Sequence, residues 1–279
     1  MKKISLSICF CLIFIGTILA QSNIDSLVQQ LDVMSGEQKV DVLLSIASAY
    51  RVSRNAEMLI HYAERSLALS KEIDYAHGQI ESYIRLTAAS IYENDFNLGS
   101  KYCYQAIEIA NKSGNEKVLS SIYLNLGSLH QNSNLPEEAI EYYLKAAKIA
   151  EKYELFLHLS LAYHGIGVIH YNFKEFEKSV RYVALALEYV ERDNTTSIPK
   201  ELFIQEQKIQ KSQILSNLVV GYIDINQLDS ARIYIDQGLE YAKAIHYNLL
   251  LRDLKIRELN WFSKMSVSIG SIFTSLCHT

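Results

Sequence analysis

Carboxylates, imidazoles and a thiol are the side chains of this sequence that could perform chemistry. Glu137 and Glu138 are adjacent, and paired carboxylates act as general acid and base when an apolar cleft separates their pKa values. Here they follow Pro136 at the start of a helical pattern, where acidic side chains favour the positive end of the helix dipole. We therefore interpret them as helix-start residues and not as a catalytic pair.

The histidines do not have the spacing of a metal site. His158, His164 and His170 lie six residues apart, which turns their side chains to different sides of a helix. His130 and His170 are forty residues apart, in the same position of a repeat, so they are expected to be near neighbours. A metal pair there would need further ligands. Because Tyr222 occupies the same position in another copy, we favour an imidazole that replaces a packing tyrosine.

No motif of a nucleotide-binding, hydrolytic or redox enzyme occurs in the sequence, which lacks GxxxxGK, GxGxxG, GxSxG, HExxH and CxxC. The acidic stretch 224–229 lacks the glycine and the final glutamate of a calcium loop. Cys103 lies on an apolar helix face and is interpreted as a small core residue. We predict no enzyme activity, cofactor or metal, and an enzyme of unusual type is the least favoured alternative.

Residues 1–20 have the pattern of a secretory signal peptide. Lys2 and Lys3 precede an apolar run, and Ala20 is the small residue expected before a cleavage site. The alternative is an uncleaved membrane anchor, which is less favoured because the run is shorter than the ~20 apolar residues of a spanning helix. We predict export to the periplasm or beyond in a bacterial cell. Contact with the membrane is expected only through an uncleaved signal segment.

The charge and the aromatic content narrow the class of partner. The formal net charge of −4 is mildly acidic, so we predict no nucleic-acid partner. The chain has 19 tyrosines against nine phenylalanines and one tryptophan. We interpret most of the tyrosines as structural, with the ring packed and the hydroxyl group at an edge.

A period of forty residues organises the chain. Apolar residues recur at the helical spacing of three and four, and no strand pattern is present in the sequence. A fifth copy follows after twelve inserted residues, around the polar stretch 193–202. The first four copies share one large and two small positions: Leu43, Tyr83, Tyr123 and Tyr163; Ala47, Thr87, Gly127 and Gly167; Ser66, Ala106, Ala146 and Ala186.

Each copy reads as two amphipathic helices, helix A and helix B, joined by a short turn. In the third copy helix A is predicted near 116–132 and helix B near 136–152, with Asn134 as the N-terminal cap of helix B. The small residues mark the points where two helices approach closely. Because one helix pair cannot bury its apolar face alone, the copies are expected to stack.

This pattern resembles the tetratricopeptide repeat (TPR). The residues that carry the resemblance are Tyr83 in the second copy; Tyr123, Leu126, Gly127, Ala139, Tyr143 and Ala146 in the third; Tyr163, Ile166, Gly167 and Ala186 in the fourth; and Leu218, Tyr222 and Ala231 in the fifth. The resemblance implies an all-α, right-handed superhelical solenoid of antiparallel helix pairs, with about five repeats. It departs from the family in its period, which is about 34 residues in TPR proteins. Leu59 and Ser179 also replace the alanine equivalent to Ala139. HEAT or armadillo repeats are the alternative.

The repeat boundaries divide the chain into a leader, an array and a tail. After Tyr247 a further helix A begins without a recognisable partner, and we expect a truncated or disrupted version of a longer chain. The predicted segments are the signal peptide 1–20; a lead-in, 21–35; the TPR array 36–245, with repeats near 36–72, 75–113, 115–153, 155–192 and 200–245; and a partial repeat with an atypical tail, 246–279.

The resemblance also implies where a partner binds, because A helices line the inner groove of TPR proteins. The slots of a known carboxylate clamp hold Leu44, Glu81 and Ser121 in place of lysine, so that clamp is not assembled. We predict a non-enzymatic scaffold for a protein or peptide, with a sensory fragment of a bacterial signal-transduction protein as the alternative. A solvated face without a ligand is the other interpretation of the groove candidates, which are Arg85, Asn125, Ser128, Gln131, Asn132, His164 and Asn217.

Overall fold

The computed structural model describes residues 24–192, 200–245 and 247–276, and the predicted signal peptide lies outside them. All of its regular structure is helical. The helices are α1 (24–30), α2 (Gly36–Val52), α3 (Ala56–Glu72), α4 (Ala76–Tyr92), α5 (Phe96–Ser113), a 3-10 turn (Glu116–Val118), α6 (Leu119–Asn132), α7 (Pro136–Lys152), α8 (Phe156–Asn172), α9 (Phe176–Glu191), α10 (Lys200–Asp224), α11 (Leu228–Ala244) and α12 (Asn248–Leu276). The predicted all-α fold is confirmed.

Contacts divide the chain into two units, Met1–Ser133 and Asn134–Thr279. The A helices are α2, α4, α6, α8, α10 and α12, and the B helices are α3, α5, α7, α9 and α11. In each unit, consecutive helices pack against one another and each A helix also contacts the next A helix. Short turns reverse the chain between packed neighbours, so the pairs are antiparallel. This is the layered arrangement that the repeat predicted.

The turns between helices repeat every twenty residues, at half the period of the sequence. One residue in each turn has a positive φ angle, and the hydrogen bond that follows it has the geometry of a Schellman motif. In a B-to-A turn the Tyr75 amide donates to the carbonyl of Ser70 at 2.8 Å, and in an A-to-B turn the Asp95 amide donates to that of Ser90 at 2.9 Å. Both types of turn, A to B and B to A, therefore end a helix in the same way. The positive-φ residues of the turns after α2 are Arg54, Asp74, Asn94, Gly114, Asn134, Glu154, Lys174 and, after the insertion, Asn226.

The predicted cap at Asn134 is wrong. Asn134 has a φ angle of 59°, and it is the left-handed residue that follows the end of α6. The N-cap position of α7 belongs to Leu135, which has no side chain to accept a capping hydrogen bond. Asparagine suits either position because its short polar side chain tolerates the left-handed region. Pro136 begins α7, as predicted, and Glu137 and Glu138 lie in its first turn.

The small residues of the repeat are buried in all copies. Ala47, Thr87, Ser66 and Ala186 are each completely buried. In unit 2, a Cβ atom at Gly167 would lie 2.5 Å from Val183 Cγ2, so α8 and α9 approach too closely there for any side chain. Leu59 and Ser179, which stand in place of the alanine equivalent to Ala139, are also buried, so the helices pack at this position in those copies too.

Buried hydroxyl groups in unit 1 bond within their own helices. Ser82 Oγ donates to the Gly78 carbonyl at 2.7 Å, and Thr87 Oγ1 donates to the Tyr83 carbonyl at 2.9 Å. The bond from Thr87 to the residue four positions earlier lets threonine occupy a position where Ala47, Gly127 and Gly167 stand in the other copies. The close-packed positions can therefore be polar without leaving a hydroxyl unsatisfied.

The core of unit 2 includes two apolar clusters. One joins α8, α9 and α10 around Val183, Ile214 and Leu218. The other joins α10, α11 and α12, and it includes Trp261, whose indole Nε1 donates to the Leu228 carbonyl at 2.7 Å. The first cluster is bordered by tyrosines of α8, α10 and α11.

An aromatic ladder crosses the interface between α8 and α9. Its five rings stack in the order Phe156, Tyr189, Tyr163, Tyr182 and His170, with centroid separations of 6.4, 5.7, 6.2 and 5.3 Å and angles of 7° to 22° between ring planes. Residues on each helix recur every seven positions, so they lie on one side of it. The ladder joins the two helices of the fourth copy.

Candidate functional site

The groove candidates of unit 1 lie on α4 and α6. Arg85 is held on two sides, because its Nε donates to Ser48 Oγ at 2.9 Å and its Nη1 lies 3.2 Å from Glu81 Oε2. The candidates on α6 are partly exposed or exposed: Asn125, Ser128, Gln131 and Asn132. Arg85 therefore joins α4 to α2, while the α6 residues present polar groups at the surface.

Neighbouring A helices in unit 1 are joined by polar bonds. Besides the bond from Arg85 to Ser48, the Tyr92 hydroxyl donates to the Arg51 carbonyl at 3.2 Å. Each bond runs from α4 to α2. The A-helix face of unit 1 is thus polar and ordered, in contrast to its apolar interior.

The two groove candidates of unit 2 meet. Asn217 of α10 places Nδ2 2.9 Å from His164 Nε2 of α8. Burial lowers the pKa of His164 from 6.5 to about 4, so the imidazole is neutral near pH 7 and its Nε2 accepts the hydrogen bond. Spacing alone could not have paired them, because they lie 53 residues apart across the insertion.

Four further polar residues of this face were not predicted from the sequence. The Tyr171 hydroxyl donates to Asp224 Oδ2 at 2.7 Å, and Arg257 Nε donates to Asp253 Oδ2 at 2.8 Å. Burial, followed by the hydrogen bond to Asp224, raises the pKa of Tyr171 to about 12. The same 53-residue step separates His164 from Asn217 and Tyr171 from Asp224, so both bonds join α8 to α10 in one register.

A cavity of about 250 Å³ lies on the A-helix side of unit 2 and extends to α9. Its walls combine three valines with four residues that carry polar groups. The lining residues are Val168, Tyr171, Ser179, Val183, Asn217, Val220 and Arg257. The cavity provides an apolar wall beside a guanidinium group.

A shallower cleft of about 450 Å³ lies at the His170 end of the aromatic ladder. It is lined by His170, Lys178, Arg181, Tyr182 and Leu185. Glu175 pairs with both His170 and Lys178, at 2.5 and 2.9 Å, so much of the local positive charge is balanced. His170 stacks on Tyr182 as Tyr222 stacks on Tyr234, in agreement with the packing interpretation of this position.

The repeat positions that carry the resemblance differ in exposure. Eleven of them are buried: Tyr83, Leu126, Gly127, Ala139, Tyr143, Ala146, Ile166, Gly167, Ala186, Leu218 and Ala231. Tyr123, Tyr163 and Tyr222 are partly exposed. Three of the five tyrosines at these positions are thus half-buried, and the other two are buried.

The remaining chemical candidates have structural surroundings. Glu137 and Glu138 are exposed in the first turn of α7. Cys103 is buried against Thr87, and burial raises the pKa of its thiol to about 12, which keeps it protonated and unreactive. Among residues 24–192, 200–245 and 247–276, no three His, Cys, Asp or Glu side chains are grouped closely enough to hold a metal ion. Within the same ranges no helix has the length and apolar character needed to cross a membrane.

One repeat matches a family model. Residues 120–153 match the model described as tetratricopeptide repeat, which covers most of α6 and all of α7. No curated protein sequence matches the chain significantly.

Solved structures resemble the chain over most of its length at low sequence identity. BtubC (BKLC) from P. vanneervenii has a TM-score of 0.59 at 14% identity, covering 82% of this chain and 91% of that one. NprR in complex with its cognate peptide NprX has a TM-score of 0.63 at 14% identity, covering 92% of this chain and 74% of NprR.

The third similar structure is longer than this chain. It is a signal transduction ATPase with numerous domains (STAND) that has a tetratricopeptide repeat sensor, from Pyrococcus horikoshii. Its TM-score is 0.62 at 17% identity, and the match covers 94% of this chain but only 42% of that protein. At these identities the likeness concerns the fold. The chain carries a tetratricopeptide repeat at residues 120–153, within an array of helix pairs that has the fold of tetratricopeptide-repeat proteins.

Proposed function

We propose that the protein is a non-enzymatic scaffold that binds a protein or peptide on its A-helix face. The observation that carries this proposal is the polar character of that face in both units. Arg85 bonds to Ser48 in unit 1, and Asn217 bonds to His164 in unit 2. An extended peptide has unpaired amide and carbonyl groups, and a face of fixed hydrogen-bonding side chains offers them partners.

The cavity of unit 2 supports the same proposal. Peptide-binding surfaces combine a polar rim with pockets for individual side chains. The valine-lined cavity lies directly beside Asn217, so one apolar side chain of a bound segment has a place beside a hydrogen-bonding amide. NprR, which has a similar fold, is described in complex with its cognate peptide.

The proposal includes export of the protein through the predicted signal peptide, residues 1–20. This part of the proposal rests on the sequence pattern alone. Expression of the complete gene in a bacterial host and mass measurement of the N-terminus would test it. A mature chain that starts at Gln21 is expected, and an intact N-terminus in the cytoplasm would contradict export.

A second candidate function is the sensory part of a signal-transduction protein. It is favoured by the similarity to a STAND protein with a tetratricopeptide repeat sensor, of which the chain spans 42%. Sequencing of the genomic region downstream tests this candidate. A spanning helix and an output domain in another frame would support it over a scaffold that acts alone.

Binding on the A-helix face is tested by capture of partners from extract on immobilised protein. Two variants probe the face, Asn125→Ala with Gln131→Ala on α6 and Asn217→Ala on α10. Asn111→Ala is the matched control, because Asn111 is an exposed asparagine of the B helix α5. We expect captured partners to be lost from at least one face variant and kept by the control. Capture that all three variants leave unchanged would place the binding surface elsewhere.

A further inference from the structure

We propose that the cavity of unit 2 binds a short branched aliphatic carboxylate, with Arg257 as the residue that binds the anion. The cavity lies among α8, α9, α10 and α12, and its lining includes Arg257 and three valines. This inference goes beyond the proposed scaffold function, and it does not need a bound protein. It rests on charge, wall chemistry and size.

Arg257 has unused hydrogen-bonding groups. Its guanidinium donates through Nε to Asp253, and its terminal nitrogens make no hydrogen bond with any residue that the structure describes. The side chain is 25% exposed and lines the cavity. A guanidinium group offers paired donors that match a carboxylate, and such charge-assisted bonds are among the strongest in proteins. Arg257 is therefore oriented by one acid and still able to bind a second.

The acidic groups near Arg257 already have partners. Asp253 accepts hydrogen bonds from Ser216 and Arg257, and it belongs to the same helix as Arg257. Asp224 accepts the Tyr171 hydroxyl, and Lys264 Nζ lies 3.6 Å from its other oxygen. Each carboxylate thus faces its own cation. An incoming carboxylate would bind the terminal nitrogens that neither aspartate occupies.

The other walls fit a branched aliphatic chain. Val168, Val183 and Val220 present methyl groups from three different helices. The volume of about 250 Å³ equals that of about eight water molecules in the liquid. It is smaller than the roughly 300 Å³ at which drug-sized sites begin. The acid 4-methylpentanoate, with six carbons and two oxygens, matches this size.

Two polar groups in the wall of the cavity mean that the carboxylate could belong either to a free acid or to the C-terminus of a peptide. The Ser179 hydroxyl makes no bond to another described residue, and Asn217 uses its Nδ2 for His164 and keeps its Oδ1 as an acceptor. A free acid uses Arg257 and the valines alone. The C-terminal residue of a peptide would also donate its amide N–H to Asn217. Both sources have the same chemistry, an aliphatic side chain next to a carboxylate.

Calorimetric titration of the full chain with 4-methylpentanoate tests the proposal. We expect binding of the acid and none of 4-methylpentanamide, which has the same shape without the charge. Arg257→Gln should weaken binding by at least about tenfold, since a charge-assisted bond is lost. Arg252→Gln is the matched control, because Arg252 is an exposed arginine of the same helix. Val220→Phe fills the cavity and should abolish binding with the charge unchanged.

Titration with a short peptide that ends in leucine, with a free or an amidated C-terminus, identifies the source. Binding of the free-acid peptide but not of 4-methylpentanoate would assign the cavity to a peptide C-terminus. Equal binding of acid and amide would overturn the proposal, as would an unchanged affinity in folded Arg257→Gln or no binding of any probe. The capture experiment uses Asn125, Gln131 and Asn217 and does not use Arg257. Failure here therefore leaves the scaffold function intact.

Discussion

At the scale of single residues, His164 has the environment with the clearest measurable consequence. Its imidazole is desolvated on α8 and accepts a hydrogen bond from Asn217 of α10. A neutral histidine can accept this bond, whereas a protonated one cannot. The contact between these two A helices therefore depends on the protonation state of one ring.

We predict that His164 makes unit 2 less stable in mild acid. Its pKa is about 4 in the folded protein and 6.5 in the unfolded chain, so between these values the unfolded chain binds a proton that the folded protein does not. Stability that is present above pH 6.5 is lost as the pH falls toward 4. Between about pH 7.5 and pH 5 this loss is about 2 kcal/mol.

Urea unfolding at both pH values checks the prediction with His164→Gln, which keeps an acceptor and removes the titration. The variant should lose about 2 kcal/mol less than the parent chain over this interval. The matched control is His77→Gln, because His77 is an exposed histidine of unit 1. An equal loss in the parent and in His164→Gln would show that another group titrates.

The left-handed turn residues are a second feature at this scale. Lys174 has a φ angle of 60°, is exposed, and has no ion pair with the described residues. The left-handed region costs a residue with a Cβ atom about 1–2 kcal/mol, and glycine costs about 0.5–1 kcal/mol in chain entropy. Lys174→Gly should therefore stabilise the protein by about 0.5–1 kcal/mol.

Thermal and urea unfolding measure this gain, and Gly114→Ala provides the reverse test. Gly114 occupies the same turn position with a φ angle of 68°, and no atom would touch an added Cβ atom. Gly114→Ala should lower the free energy of unfolding by about 1 kcal/mol, because alanine is strained at a positive φ angle even where its side chain meets no other atom. A less stable Lys174→Gly would mean that the lysine side chain has a role that outweighs its backbone strain.

At the scale of elements, the aromatic ladder contributes to the packing of α8 against α9. Tyr163 is its central ring and stacks on Tyr182 and Tyr189. Stacked aromatic pairs contribute about 0.5–1.5 kcal/mol beyond the area they bury. Tyr163→Leu keeps an apolar side chain and removes both stacks, so we predict a loss of about 1–3 kcal/mol in the free energy of unfolding.

The control for the ladder is Phe173→Leu. Phe173 directly follows α8, is 59% exposed, and stacks on no other described ring. Its replacement should change stability by less than about 0.5 kcal/mol. Similar losses in both variants would indicate that ring size, and not stacking, is what α8 requires.

The forty-residue period predicted the positions of the helices from the sequence. Helices α6 and α7 lie where the period and Pro136 placed them, apart from the 3-10 turn at Glu116–Val118. The role of Asn134 was not predictable, because asparagine favours both an N-cap and a left-handed turn. The forty-residue period did not predict the aromatic ladder, because the rings of the ladder are spaced seven residues apart within each helix and do not recur from copy to copy.

The candidate site was predictable only in part. A-helix position placed His164 and Asn217 on one face, and they meet there. The insertion before α10 shifts the register, so their pairing with each other could not be read from the forty-residue step. Arg257 was not among the predicted groove residues, all of which lie in the second to fifth copies; it lies on α12, in the partial repeat that follows them. Its partner Asp253 is four residues earlier on the same helix, which is the only local signal.

At the scale of the whole molecule, the turns that precede and follow a repeat have the same backbone conformation, so a repeat can be duplicated as a unit. Because positions 74 and 114 both hold the left-handed residue of a turn, residues 75–114 can be followed by a second copy of themselves without a new junction. We predict that duplication of residues 75–114 gives a folded protein, since each repeat contacts only its neighbours. Circular dichroism should show helical content that rises with the added length.

Duplication of residues 95–114 alone is the matched control. It adds one helix and one normal turn, but it puts every later A helix in the place of a B helix. The buried and polar faces of those helices would then be exchanged, so we expect aggregation or loss of cooperative melting. Folding of this shorter insertion would show that the two helix types are interchangeable.

The single tryptophan of the sequence lies in unit 2, and this makes the protein its own optical probe. Trp261 is buried, its indole donates to Leu228, and the Arg232 guanidinium lies over its ring at 5.4 Å. Selective excitation of tryptophan will therefore report the unfolding of the helices around α12, whereas tyrosine emission and circular dichroism report both units. Trp261 also lies one helical turn after Arg257, so fluorescence offers a label-free signal for ligands that enter the cavity beside it.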